Sequence, residues 1–255
     1  MIFSSRTLSL RYISQKQFDS LKEDTYDVVI DLSLTNGSLT YGELYLKGST
    51  EYEVLFSCYV CHPSMCNDNL SGISLVTEIA KKLQKKKTKY SYRFLFIPET
   101  IGAITWLSKN EEKIQKIKHG LVVTCVGDSG NLCYKKTRRG TSSIDNAVIK
   151  VLEESKQSFK IIDFFPSGSD ERQFSSPGIN LPVGSLMRTM YAQFPEYHTS
   201  ADNLEFVSPE NLKESFETYM KIIDVLEKDK MYVSTFTPKI NSITPEDLRS
   251  TLFIF

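Results

Sequence analysis

The sequence predicts an α/β protein built on a mixed, mostly parallel sheet with helices on both faces, plus a small β-rich segment at the N-terminus. Three observations carry this. Apolar strand-like runs alternate with segments of helical period from about residue 52 to residue 226, the pattern left by strand-helix-strand crossovers. Residues able to do chemistry fall just after the strand-like runs, where open α/β sheets bind their ligands. The chain has 255 residues, 40% of them hydrophobic, enough for one large core with a minor appendage. The expected division is a β-rich segment over 1–50, the α/β domain over 51–230 and a tail over 231–255 in which no chemistry is read.

Three β-rich runs, at 25–34, 38–46 and 52–60, are separated by turn signals at Asn36-Gly37 and Gly48-Ser49. They read as a β-meander leading into the main sheet. Over 69–87 the period becomes helical: Gly72, Val76, Ile79, Ala80 and Leu83 share one face, and the terminal lysines suit the negative pole of the helix dipole. A strand at 92–97 follows, then a helix at about 102–117, a strand at 120–126 and a helix at about 143–156. A short strand at 159–165, a strand at 181–186 and a final helix at 208–226 complete the pattern.

Lysines and arginines number 31, as do aspartates and glutamates, so net charge gives no general attraction to nucleic acid or an anionic membrane. No run approaches the roughly 18 apolar residues that a membrane span needs. The N-terminus lacks the charged-then-apolar pattern of a secretory signal, so a cytoplasmic location is expected. Cys58, Cys61, Cys66, Cys125 and Cys133 are odd in number and sit mostly in apolar runs, which suits reduced thiols. Cys58-Tyr59-Val60-Cys61-His62 matches the spacing of c-type haem attachment. Haem attachment needs export, and the flanking run from Glu53 reads as a buried strand, so core thiols are preferred to haem or to a zinc knuckle.

A hydrolytic metal site needs neutral imidazoles, ionised carboxylates and a separate base, and the chain carries all three. His62 ends a strand just before Pro63; a lone histidine there also suits a structural role. Asp68, between Asn67 and Asn69 at a helix start, reads as a ligand or as an N-cap. Glu99 leaves a buried strand and equally suits charging the helix that follows, and Asp128 repeats the arrangement after Val126-Gly127. His198 supplies a second imidazole from a loop. Its neighbour Tyr197 is either a donor to a tetrahedral intermediate or a packed aromatic. The basic stretch at 134–140, which includes Arg139, is a solvated loop or a patch for a substrate carboxylate or phosphate, with Arg172 and Arg188 as further candidates.

Six stretches taken in order resemble the co-catalytic zinc aminopeptidase family, which includes the glutaminyl cyclases. They are Cys61-His62-Pro63-Ser64-Met65-Cys66-Asn67-Asp68-Asn69-Leu70-Ser71-Gly72, Pro98-Glu99-Thr100, Gly127-Asp128, Gly168-Ser169-Asp170-Glu171-Arg172-Gln173-Phe174, Ser176-Pro177-Gly178 and Glu196-Tyr197-His198. The resemblance runs from about residue 26 to residue 212 and is strongest to a bacterial aminopeptidase-like subgroup often encoded near surface-polysaccharide genes. It implies a zinc-dependent hydrolase of amide or peptide bonds, with His62 and Asp128 binding one metal, Asp68 bridging two and His198 binding the other. Glu99 matches the family's general base, which takes a proton from the attacking water and passes it to the leaving amine.

The chain departs from the family in two respects. A glutamate ligand usually follows the base directly, whereas here that position is Thr100. One zinc on His62, Asp68 and Asp128 is therefore expected rather than two, with Asp170 or Glu171 as substitutes for the lost ligand. Members of the subgroup also carry a further N-terminal segment of the peptidase domain and a C-terminal winged-helix-like domain, while Met1 stands close to the β-rich segment. The expected substrate is a small peptide or an acylamino or aminoacyl compound, without nucleic-acid or membrane partners. The alternatives are a non-catalytic, zinc-stabilised scaffold in surface polysaccharide biosynthesis, and acyl transfer or cyclisation of the glutaminyl cyclase kind.

Overall fold

The computed structural model describes residues 15–22, 31 and 33–228. A short helix α1 (Gln15–Asp19) precedes β1 (Gly42–Leu46) and β2 (Glu53–Tyr59); a tight coil over Cys66–Leu70 then enters α2 (Ser71–Leu83). Next come β3 (Ser91–Ile97), α3 (Ile101–Lys109), α4 (Glu111–Ile114) and β4 (Ile117–Val123). The second half adds β5 (Leu132–Lys135), α5 (Ser143–Glu154), β6 (Phe159–Ile162), α6 (Glu171–Phe174), β7 (Val183–Met187) and α7 (Pro209–Lys228). One sheet holds the strands in the order β1-β3-β2-β4-β7-β5-β6. The central four are parallel, β1 and β5 join antiparallel to β3 and β7, and β6 is parallel to β5. The mixed, mostly parallel sheet expected from the sequence is present. No helix among the described residues is long and apolar enough to cross a membrane.

Every residue of β2 is buried. Val54, Phe56 and Cys58 face a cluster with Leu75, Val76 and Ile79 of α2 and Tyr219 and Ile222 of α7. Leu55 faces the other side, with Leu95 and Ile97 of β3, Trp106 of α3 and Phe174 of α6. Side chains alternate along a strand, so a strand covered on both faces needs apolar residues throughout, and that is why it reads as a continuous run.

The expected β-meander does not form, because β3 is inserted between β1 and β2. A wholly buried strand needs hydrogen-bonded neighbours on both sides, whereas half-exposed β1 suits an edge. Arg93 of β3 secures that edge. Its Nε and Nη2 donate to the Glu53 carboxylate at 2.6 and 2.8 Å, and its Nη1 reaches Glu43 of β1. The other Glu43 oxygen accepts from Trp106 Nε1 at 3.0 Å. The β-rich segment thus ends inside the main sheet rather than in a separate unit. Residues 25–30 and 32 of the first β-rich run, and the 231–255 tail, lie outside the described residues.

The helix expected at 102–117 is broken at Asn110, whose Nδ2 donates back to the Trp106 carbonyl at 2.8 Å. β4 then starts at Ile117, leaving room only for the single turn of α4. The beginning of the basic stretch is not a solvated loop: Tyr134 and Lys135 belong to β5 and are fully buried.

Candidate active site

The loops after β2, β3, β4 and β7 leave the same edge of the sheet, and three of them supply the centre. His62 follows β2, Glu99 follows β3, and His198 lies in the long loop after β7; Asp68 sits in the coil before α2. Asp68 is fully buried, with Oδ2 2.9 Å from His198 Nε2 and 3.7 Å from His62 Nδ1. Ligand atoms of these three residues all lie within 4.8 Å of one another. Tyr197 stacks on His198 with ring centroids 4.0 Å apart, the packed-aromatic arrangement, and this contact holds the plane of the imidazole.

Asp68 is held from two sides. The Tyr59 hydroxyl donates to its Oδ1 and lies 2.5 Å from Thr124 Oγ1 at the end of β4. Asp202, also buried, accepts from the backbone N–H groups of Asn67 at 2.5 Å and Asp68 at 3.0 Å, tying the His198 loop to the Asp68 coil. Gly72 lets α2 approach β4: a Cβ there would lie 2.2 Å from Asn69 Oδ1 and 2.7 Å from the Val123 carbonyl. Sequence reading missed Tyr59, Thr124 and Asp202. The only signal for Asp202 was its place four residues after His198; nothing local marked the other two. Asp202→Ala strands two buried N–H donors that now meet a charged acceptor, and is expected to cost about 3 kcal/mol. Urea unfolding measures this, and a cost below about 0.5 kcal/mol would show that the clamp does not matter.

Asp128 is not brought to this centre. Its Oδ2 accepts from Asn67 Nδ2 at 2.9 Å, and its Oδ1 from Gly130 N–H at 2.7 Å and Thr189 Oγ1 at 2.6 Å. The expected set of His62, Asp68 and Asp128 is thus replaced by His62, Asp68 and His198. The chain turns at Cys125, with φ of 49°, so that the residue meeting Tyr59 is Thr124 while Asp128 joins three loops together.

Glu99 is half-buried, and burial is the main cause pushing its carboxyl above the ordinary range. The Ser169 hydroxyl and His62 pull it down, and the Asp68 charge pushes it up. Thr100, at φ 63°, donates its N–H to Asp170 Oδ1 at 2.7 Å, and its hydroxyl accepts from Arg172 Nη2 at 3.0 Å. Burial first, then the nearby Glu99 and Glu171, push the Asp170 carboxyl up to about 7 against the pull of the Thr100 N–H. Glu171 is wholly buried and paired with Lys135 Nζ at 2.7 Å. Lys135 also donates to the Ser167 carbonyl at 2.6 Å and lies 3.7 Å from the centre of the Phe165 ring. Neither acid offered as a substitute for the missing glutamate falls in a metal-binding group among the described residues.

Arg139 lies away from the histidines, exposed on a groove of about 1310 Å³ that Lys118 and Arg172 also line. Arg188 is occupied, donating to Glu214 at 2.8 Å and to the Gly130 carbonyl at 2.9 Å. Cys58 is wholly buried in the core, so the haem-like spacing has no accessible first thiol.

A mostly parallel sheet in the order β1-β3-β2-β4-β7-β5-β6, with helices packed against it, places the chain in the aminopeptidase-like fold class. A Bacillus subtilis zinc aminopeptidase superposes with a TM-score of 0.62 at 19% identity, over 74% of this chain and 51% of that one. A glutaminyl cyclase from an Acidobacteriales bacterium does so with 0.61 at 16% identity, over 73% of each chain. A Clostridium acetobutylicum crystal structure, provisionally called a peptidase, superposes with a TM-score of 0.79 at 56% identity, over 90% of this chain and 55% of that one. A protein of the same organism, named provisionally for polysaccharide biosynthesis and an aminopeptidase-like domain, is 59% identical over 222 residues, 87% of this chain and 51% of that protein. The chain spans about half the length of this curated relative. The family model described as "Domain of unknown function (DUF4910)" matches residues 13–229, and the chain belongs to that family.

Proposed function

We propose that the protein is a zinc-dependent hydrolase of amide or peptide bonds, with His62, Asp68 and His198 as metal ligands and Glu99 as general base. The observation that carries this reading is one buried carboxylate oxygen flanked by two imidazole nitrogens. Asp68 Oδ2 and His62 Nδ1 are buried without a hydrogen bond. An ionised carboxylate in such a place is costly unless a cation completes it. Two imidazole nitrogens and a carboxylate oxygen form a donor set that suits zinc and leaves a coordination position open. Thr100 in place of a glutamate, and Asp170 and Glu171 engaged elsewhere, support one metal rather than two.

When bound, zinc there supplies Lewis acidity and lowers the pKa of water toward about 7. The residues of this chain do the rest. Tyr59 and Asp202 orient Asp68, and Tyr197 holds His198 by stacking. Glu99, its proton affinity raised by burial, accepts a proton from the attacking water and returns it to the leaving amine. Arg172, which donates to the Thr100 hydroxyl beside Glu99, offers a cationic contact to a carboxylate or phosphate on a small peptide, acylamino or aminoacyl substrate. The name of the clostridial relative favours a substrate in polysaccharide biosynthesis.

Elemental analysis of protein purified without chelator tests the reading. About one zinc per chain is expected, lost in His62→Ala. A folded protein that takes up no metal even when zinc is supplied overturns it. One zinc without turnover on any amide would leave the scaffold reading, which the occupied Thr100 position favours.

A further inference from the structure

We propose a second cation position formed by Cys61, His62 and Glu99, which takes a soft or borderline divalent ion such as zinc and competes with the first centre for His62. It rests on the reading of His62, Asp68 and His198 as a metal centre. Ligand atoms of Cys61, His62 and Glu99 all lie within 4.8 Å of one another, and His62 belongs to both groups. The Glu99 backbone N–H donates to Cys61 Sγ at 3.4 Å, which keeps the sulfur next to that carboxyl group. Cys61 is exposed, whereas Cys58, Cys125 and Cys133 are buried, so an ion arriving from solvent meets this thiol.

A sulfur, nitrogen and oxygen donor set selects zinc, cobalt or cadmium over magnesium and calcium, whose preferred ligands are all oxygen. As the metal–sulfur bond forms, the thiol proton is displaced and passes to solvent. No change of oxidation state is involved. Occupation has a functional consequence: the Glu99 carboxylate becomes a ligand and cannot serve as a base. A chain whose ion sits there therefore turns over no substrate.

Titration of the full chain with cobalt(II), without oxygen and with a reductant that does not bind metal, tests this. Cobalt bound anywhere gives visible ligand-field absorption, and cobalt bound to a thiolate adds a near-ultraviolet charge-transfer band. The expected result is a charge-transfer band in the wild type and in Cys66→Ser that is lost in Cys61→Ser, an exposed substitution. Ligand-field absorption with no charge-transfer band overturns this proposal and leaves the hydrolase centre standing. A band lost in Cys66→Ser instead also overturns it. No cobalt uptake at all overturns the reading on which it rests.

Discussion

Glu99→Gln is expected to lower turnover of aminoacyl or acylamino amides by about 10²- to 10⁴-fold, the usual contribution of a positioned general base, while metal content and melting temperature stay near wild type. Glutamine keeps the shape of glutamate but cannot accept the proton of an attacking water. Neither the main-chain bond from Glu99 to Cys61 nor the position of the residue just beyond β3 depends on its charge. The measurement is kcat with saturating substrate on both proteins, alongside zinc analysis. Turnover within a few-fold of wild type would remove Glu99 from the mechanism. Lost turnover together with lost metal would make it a ligand instead.

Lys135→Met is expected to destabilise the fold by about 3–5 kcal/mol, because it leaves Glu171 as an unpaired charge in a site with no access to water. Lys135→Met combined with Glu171→Leu should recover most of that loss, since removing both partners removes the uncompensated charge. The three urea midpoints, read as a double-mutant cycle, check this. A single-variant cost below about 1 kcal/mol would show that Glu171 becomes protonated or reaches solvent. The pair also ties β5 to α6, whose preceding residue Asp170 accepts from the Thr100 N–H next to Glu99. Activity is accordingly expected to fall in the single variant and to return in part in the double variant.

Much of the fold was legible. β2 and β3 were visible as continuous apolar runs, and α2, α5 and α7 as periodic faces, because burial on both sides or on one side imposes those patterns directly on the residues. The breaks were less legible. Asn110 stops α3 through a side-chain bond to Trp106 that no periodicity records, and β5 was hidden because Lys135, buried against Glu171 and Phe165, carries the charge expected of a loop. Likewise, Gly48-Ser49 is a turn signal between the second and third runs, yet β1 pairs with β3 instead of β2, since Arg93 holds both Glu43 and Glu53.

The sequence by itself placed His62, Glu99 and His198, ligand and base residue types, in loops after strands, and Asp68 at a helix start. Position after a strand is a local property. Only the tertiary structure decided the grouping: His198 rather than Asp128 beside Asp68, Tyr59 and Asp202 orienting that carboxylate, and Asp170 and Glu171 engaged elsewhere. The physical reason is that these choices depend on distances of a few ångströms between loops far apart in the chain. Strand order, the turn at Cys125 and the entry of α2 at Gly72 set those distances, and no local pattern of residues encodes them.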